Sequence, residues 1–444
     1  MKQKLLNDYG MVLVLMALCL LFSLATIRRE SGNGPAAVKE LVSGLERHSK
    51  AHQIAIIAGA ANSASEALAR KVAKEMESKG NLQTQLVIGS PRDLKLAVEG
   101  IQAANQDLGA IAIGGDAAKW RVLEQIPENF PRFADARILI PSEGWQSSFL
   151  KGSNLIAVVD RIVVIAVIAI GMTFVIITGG IDLSVGSLIA FSAVISTLVM
   201  KKLGGLDASA GVVLLGFAAG TVACGLVGAG TGALIARFKV APFIVTLGVM
   251  MIASGLAFKV TGGFSIYQVP KTLPWLGQAR TLGLPNTVLV LIFLYVTAHI
   301  FMTHTRLGRY IYAVGGNAEA ARLSGVPVKW VTAFVYVVSG IMAGIGGCIQ
   351  ASQVNTGTPT MGEMYELYVI AAVVVGGTSL SGGSGRIIGT LIGAFIIAVI
   401  QNGMNLLGID AYTQKVVLGS VIIGAVLLDR ARQEGGLANL FLST

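Results

Sequence analysis

Apolar residues run at membrane-spanning length along most of this chain, and one stretch near its start breaks the pattern. Residues 11–27 form a first apolar run. From residue 155 such runs recur at 155–178, 184–200, 210–235, 242–260, 285–303, 332–352, 365–376, 387–407 and 413–429. About 20 apolar residues cross a bilayer as a helix. The pattern therefore predicts about ten transmembrane helices, with 365–376 short enough to be tilted or broken. Between 28 and 150 the period changes. Residues 53–59, 82–89, 108–114 and 137–140 read as short buried strands, and 62–79, 91–106 and 117–125 as helices. The first of these helices opens on the cap-like Asn62-Ser63 and stops at Gly80. Strands alternating with helices predict a parallel, doubly wound α/β sheet. About 100 residues suffice for one core. The expected architecture is a polytopic α-helical membrane protein with an inserted soluble α/β domain. Residues 1–27 are the first transmembrane helix, 28–150 the α/β insert, and 151–444 the main transmembrane domain.

Composition agrees. The chain is 54% hydrophobic and only 13% charged, against about 25% charged in soluble domains. Its 55 glycines in 444 residues suit close helix packing in lipid. Small-xxx-small spacings occur at Gly216/Gly220, Gly228/Gly232, Gly340/Gly344 and Gly389/Gly393. The net charge of +10 does not signal nucleic acid, because the cations sit near span ends. An even number of spans puts both termini on one side. Lys2, Lys4, Arg237, Lys239, Arg306, Arg309, Arg322, Lys329, Arg386, Arg430 and Arg432 then share that side, and a smaller group, Lys201, Lys202, Lys271, Arg280 and Lys415, opposes them. Cytoplasmic loops are enriched in Lys and Arg. Both termini are expected in the cytoplasm and 28–150 outside it. Lys2 and Lys4 before an apolar run that ends near Ser23-Leu-Ala25 also fit a cleaved secretory signal. The spanning length of the run and the Arg28-Arg29 that follow favour an uncleaved first span.

Four polar motifs interrupt the apolar pattern. Gly180-Ile-Asp-Leu-Ser-Val-Gly186 places a carboxylate between two long apolar runs, where it is costly unless it caps a helix or faces protein or water. Asp182 can cap the helix that follows it, while Ser184 and Gly186 allow a neighbouring helix to approach; a direct role in a solute path stays open. In 304–331, Asn317 can cap a helix starting at Ala318, Glu319 and Arg322 can pair at i, i+3, and Ala320 and Ala321 favour helix. Gly325 is placed as a C-terminal cap and Pro327 blocks continuation. Glu363 and Glu366 flank the start of 365–376, with Tyr365 between them. They read either as an interfacial belt or as contacts to a solute. The fourth is Gly376-Gly-Thr-Ser-Leu-Ser-Gly-Gly383, and Thr378–Arg386 reads as a cytoplasmic turn between spans.

With Gly171–Gly179 and Thr305–Asn317, these motifs resemble the membrane permease subunit of ribose/xylose/galactose-type (monosaccharide) ABC importers. The resemblance covers the first span and about 153–430, and not 28–150. It implies a bacterial inner-membrane subunit that forms the pathway for a monosaccharide or similar small polar solute. It implies as partners a cytoplasmic ABC ATPase, a periplasmic solute-binding protein and a second permease subunit, in a homodimer or a heterodimer. Glu319–Gly325 looks like the family's coupling segment, docking into the ATPase; an ordinary interfacial helix is the other reading. Residues 28–150 look like an extra periplasmic domain after the first span. Some relatives carry an acid where Tyr368 stands, so a contact through that acid does not transfer.

Other chemistries find no support. Leu380-Ser-Gly-Gly-Ser384 mimics an ATPase signature loop, but the chain has no Gly-Lys dipeptide and hence no phosphate loop. ATP hydrolysis is expected from a separate subunit. His48, His52, His299 and His304 have no metal-ligand spacing, and Cys19, Cys224 and Cys348 lie in apolar runs. No catalytic residue, metal or cofactor is expected. Two alternatives remain. A secondary sugar transporter needs ion-coupling groups, for which Asp182 is the only convincing acidic candidate within 155–260, and it reads as a helix cap. A membrane receptor with a periplasmic sensing domain needs an output domain, and only a short tail follows the last span.

Overall fold

The computed structural model describes residues 2–32, 34–50 and 52–433. They form two compact units, Ile27–Ser148 and the remainder of the chain.

The chain opens with α1 (Lys2–Ala25). Thr26 donates to the Phe22 carbonyl at 2.7 Å and accepts from the Phe149 N–H at 3.1 Å. Phe22 stacks on Phe149 with centroids 6.2 Å apart, and its ring lies against Gly403.

The α/β unit comprises β1 (Ile27–Ser31), α2 (Pro35–His48), β2 (Gln53–Ala60), α3 (Ala64–Lys79), β3 (Gln83–Gly89), α4 (Pro91–Ala103), β4 (Asp107–Ile113), α5 (Val122–Asn129), β5 (Arg137–Leu139) and β6 (Glu143–Ser147). The sheet has order β3-β2-β4-β5, all parallel. A separate antiparallel ribbon pairs β1 with β6. Two apolar clusters cover the two faces. Ile56, Val87, Ile111 and Ile113 meet α4 and α5, while Ala55, Ile57 and Ala112 meet α2 and α3. Ser63, rather than Asn62, caps α3, accepting from Ser65 N at 3.2 Å, because Asn62 takes a left-handed φ of 57°. The helix α2 and the β1–β6 ribbon are additions to the sequence expectation. Val38, Leu41, Val42 and Leu45 of α2 are all buried at helical spacing behind a Pro at its first turn.

Every residue in those two clusters lies within 28–148, so this segment expressed alone should fold. Hydrogen bonds from Arg70 and then from the Asn62 N–H hold the Glu66 carboxyl below its ordinary range, and those from Ser90 do the same for Asp93. Their folded pKa lies below the unfolded one. Their contribution is therefore complete above the ordinary carboxylate pKa, about 4, and is lost as pH falls through the folded values. Thermal melts of the isolated segment should hold level from neutral pH down to about 5 and drop below about 4. Asp93→Asn should flatten that drop.

The helical unit continues with α6 (Gly152–Ile177), α7 (Val185–Leu203), α8 (Ala210–Phe238), α9 (Pro242–Thr261), α10 (Pro274–Gln278), the two-residue strands β7 (Arg280–Thr281) and β8 (Leu284–Pro285), and α11 (Asn286–His304). There follow α12 (Arg306–Gly316), α13 (Ala318–Leu323), α14 (Val328–Val354), α15 (Tyr365–Val375), α16 (Ile387–Leu406) and α17 (Ala411–Gln433). Among the described residues seven helices are long and apolar enough to cross a membrane: α6, α7, α8, α9, α11, α14 and α16. Shorter apolar helices occupy Gly10–Ala25, Tyr365–Val375 and Ala411–Leu427.

The centre is α6, buried continuously from Ile162 to Ile177. Hydroxyl and amide pairs bind it to its neighbours. Thr173 meets Thr390 of α16 at 2.7 Å, Asn154 and Asn402 exchange amide bonds at 3.0 and 2.8 Å, and Tyr295 of α11 donates to the Ala166 carbonyl at 2.9 Å. The small-residue spacings mark close helix contacts. At Gly232 of α8 a Cβ would lie 2.7 Å from the Ala333 backbone of α14, and at Gly344 of α14 one would lie 2.7 Å from Thr221 of α8. Backbones this close leave no room for larger side chains.

Candidate functional site

Two interruptions in the helical pattern meet inside the bundle. The first is 178–184. The helix α6 ends at Ile177, Gly179 turns the chain at φ 79°, and α7 starts at Val185. Asp182 is 2% exposed. Its Oδ1 accepts from the Ser184 N–H at 3.0 Å and the Ser184 hydroxyl at 2.6 Å. Its Oδ2 accepts from Ser339 of α14 at 2.7 Å. The N-cap position of α7 falls on Ser184 rather than on Asp182, and no side chain caps the helix. Asp182 forms a side-chain turn just ahead of α7, but it also clasps the middle of α14. Ser339 lies about 16 Å along α14 from Val328, at 1.5 Å per residue, so this carboxylate sits well within the bundle. The Ile181 carbonyl accepts from Thr246 of α9 at 3.3 Å. Beside Gly180, the buried Tyr336 hydroxyl has no hydrogen-bond partner among the described residues.

The second interruption is 355–364. Asn355 ends α14 in the left-handed region at φ 53°. The chain then returns along α7 without forming helix: Gly357 lies against Ala193 and Thr197, and Gly362 against Gly186 and Ile189. Gly362 and Met364 turn it at φ 74° and 68° into α15. That helix has 11 residues, about 16 Å, or half of a 30 Å hydrocarbon core. Non-helical backbone at this depth is tolerated where protein buries it or where it lines an aqueous cavity.

The first turn of α7, directly after the first interruption, meets the second at Gly186. A Cβ there would lie 2.7 Å from the Gly362 carbonyl and would overlap the Glu366 carboxylate. Beside this contact opens a cleft of about 620 Å³, lined by Ser187, Met251, Ser254, Phe258, Thr360, Glu363 and Glu366 among others. Glu363 is exposed and Glu366 half-buried. Of the three solute-contact candidates, the structure brings these two glutamates together. Tyr365 instead faces a separate pocket with Asp160, Arg161, Gln350 and Gln353. Consecutive residues at the start of a helix point about 100° apart, which separates Tyr365 from Glu366.

The candidate coupling segment forms as its caps require. Thr305 caps α12 by accepting from Gly308 N at 3.1 Å, and Asn317 caps α13 by accepting from Ala320 N at 2.9 Å. Glu319 and Arg322 pair at 2.9 Å. Gly325, at φ 85°, closes the helix with Gly325 N on the Arg322 carbonyl and Val326 N on the Ala321 carbonyl, both at 3.0 Å. Ala321 is buried against the bundle, whereas Glu319, Ala320, Arg322 and Leu323 are exposed. The helix α12 sits directly on the end of α6 and on the turn that follows α15. Gly315 abuts the Ile177 carbonyl at the end of α6, Gly383 N donates to that carbonyl at 2.8 Å, and Tyr312 donates to Gly385 O at 2.8 Å in the turn that follows α15.

Sequence reasoning missed Ser339, Tyr336, Gly357 and Gly362. The polar, turn-rich run Asn355-Thr-Gly-Thr-Pro-Thr-Met-Gly362 signals a loop, but nothing in it signals that the loop re-enters the bundle.

The family described as "Branched-chain amino acid transport system / permease component" matches residues 154–426. The chain belongs to this permease family. The ribose import permease protein of Escherichia coli K12 is 42% identical over 291 residues, covering 64% of this chain and 88% of that protein. The D-allose transport system permease protein of the same organism is 36% identical over 282 residues, covering 64% and 85%. The L-arabinose ABC transporter permease protein of Azospirillum brasilense is 34% identical over 301 residues, covering 68% and 85%. No solved structure matches. The protein is a permease subunit of an ABC importer, a transport component of the membrane rather than an enzyme. The family match begins after the α/β unit of the permease ends.

Proposed function

We propose that this permease carries a monosaccharide through a pathway built where its two interrupted elements meet. The observation that carries the reading is the contact of Gly186 with Gly362 and Glu366 at the edge of a cleft whose largely apolar wall carries Glu363, Glu366 and a few hydroxyls. Discontinuous helices that meet at mid-depth are where transporters place their solutes, and the relatives are permeases for ribose, allose and arabinose.

In this reading the membrane domain has ten crossing elements, the seven long helices and the three shorter ones. The end bearing α12 and α13 is cytoplasmic, and both termini share it. The exposed face of α13 (Glu319, Ala320, Arg322 and Leu323) docks an ABC ATPase. A second permease subunit completes the pathway, and a periplasmic solute-binding protein delivers the sugar. Residues 28–150 lie in the periplasm and serve as a platform for that binding protein, because one α/β lobe cannot enclose a sugar between two walls. Nucleotide closure of the ATPase pair moves α13. The rigid α12 passes that motion to the ends of α6 and α15, and so to both sides of the cleft.

The test is ATP-dependent uptake into vesicles containing the permease, its ATPase and its binding protein. Ribose, allose and arabinose are the labelled solutes. Leucine is included because the family's description concerns branched-chain amino acids. Saturable uptake of one sugar is expected; uptake of leucine alone would replace the sugar reading. Glu366→Ala should cut sugar uptake about tenfold, the loss of one charge-assisted hydrogen bond of about 1.4 kcal/mol, while ATPase assembly is kept.

A further inference from the structure

A polar pocket of about 390 Å³ lies on the opposite side of the α15 start from the cleft, lined by Asp160 and Arg161 of α6, Gly277 of α10, Gln350 and Gln353 of α14, and Tyr365. Its size falls within the range of about 300–1,000 Å³ typical of small-molecule sites. We propose that this pocket is a second contact site for a neutral, hydroxyl-rich solute, separate from the cleft at Gly186; the proposal rests on the sugar-transport reading above.

The hydrogen-bond inventory argues for that ligand class. Gln350 donates through Nε2 to the Tyr365 hydroxyl at 3.4 Å, and its buried Oε1 has no protein partner. Asp160 Oδ1 is also buried, with the chain's own Thr287 hydroxyl as the donor beside it. Buried polar atoms are almost always satisfied, so the orphaned Gln350 acceptor calls for a donor from outside the chain. Tyr365, having accepted from Gln350, keeps its own proton to donate, and Arg161 presents further N–H groups. Gln353 is held in place by donating to the Asp160 main-chain carbonyl at 3.1 Å. The cavity therefore presents acceptors and donors together. A hydroxyl both donates and accepts, so adjacent hydroxyls of a polyol complement this arrangement.

The charges exclude simpler ligands. The Asp160 carboxylate is faced by the Arg280 guanidinium, and Arg161 lines the same pocket. A free cation meets the two arginines and a free anion meets Asp160, whereas a neutral polyol meets no repulsion. The aromatic ring of Tyr365, packed edge-on to Tyr368 with centroids 6.2 Å apart, adds a fixed apolar wall. Tyr365 faces this pocket and Glu366 faces the cleft, so the first turn of α15 separates two solute-contacting cavities.

The test uses Gln353→Cys in the full permease, assembled with its ATPase in vesicles, and a membrane-impermeant maleimide. Cys224 and Cys348 are buried, and the unmodified permease gives the background from Cys19. Arg161→Cys is a second probe in case the first variant assembles poorly. Labelling from water is expected, and the transported sugar at about four times its Kd should slow it about fivefold. Gln350→Leu should abolish that protection. Absence of labelling at both probes overturns the proposal, as does labelling that no sugar slows. Protection by inorganic phosphate but not by sugar overturns it in favour of an anion site. Sugar uptake by the same vesicles separates the two readings: uptake without protection sinks the second site alone, and absence of sugar uptake sinks the transport reading on which it rests.

Discussion

Gly315→Ala should abolish solute uptake, while Gly316→Ala one residue later should leave it within about twofold. The contrast comes from local geometry. A Cβ on Gly315 would land on the Ile177 carbonyl oxygen and lie 2.6 Å from Gly383 N, whereas a Cβ on Gly316 meets nothing within 4 Å. The obstructing atoms are backbone, so no side-chain rotation relieves the overlap. The smallest added side chain must push α12 away from the end of α6 and displace the Gly383–Ile177 hydrogen bond of 2.8 Å. Overpacking of this kind costs about 1–3 kcal/mol. The functional loss should exceed what that figure alone implies, because α12 joins the exposed α13 to the end of α6 and to the turn that follows α15. Uptake and sugar-stimulated ATP hydrolysis should fall together in Gly315→Ala, with basal ATPase binding retained. Equal behaviour of the two variants would show that the contact does not transmit motion.

Much of the architecture is legible from periodicity. The run at 53–59 becomes β2, 210–235 becomes α8, and 387–407 becomes α16, each within a few residues, because burial in a sheet or in lipid imposes its period on neighbouring residues. The caps of α13 are legible for the same reason: Asn317, Glu319, Arg322 and Gly325 act on groups at most five residues away. The candidate site is less so, because its partners are distant in sequence. Asp182 and Ser339 lie 157 residues apart, and no local pattern links them. The polar run 355–362 reads as a loop, yet its depth follows from Gly357 and Gly362 fitting against α7, a match of shapes that only the folded bundle reveals. Tyr365 and Glu366 are neighbours in sequence and face different cavities, since a helix start turns successive side chains apart. The short apolar run at 365–376 is the clearest sequence trace of the second interruption, since α15 has only 11 residues.

Asp182→Leu should destabilise the permease severely, and Asp182→Asn only mildly. Leucine would leave the Ser184 N–H, the Ser184 hydroxyl and the Ser339 hydroxyl without their acceptor. Each unsatisfied buried group costs about 1–3 kcal/mol, so the total is several kcal/mol, enough to lower the yield of folded protein. Asparagine keeps the oxygen that receives both Ser184 bonds. Its amide then faces Ser339, whose hydroxyl can rotate from donor to acceptor, so the clasp between the α6–α7 break and α14 survives. The expected cost is that of weakening one charge-assisted bond to a neutral one, about 1 kcal/mol. Thermal stability of the detergent-solubilised permease, read alongside uptake, checks both halves. If Asp182→Asn folds normally yet loses uptake as fully as Asp182→Leu, the negative charge itself acts in transport. If Asp182→Asn keeps uptake, the carboxylate serves by holding the first interruption against α14, and with it the start of α7 on which the second interruption packs.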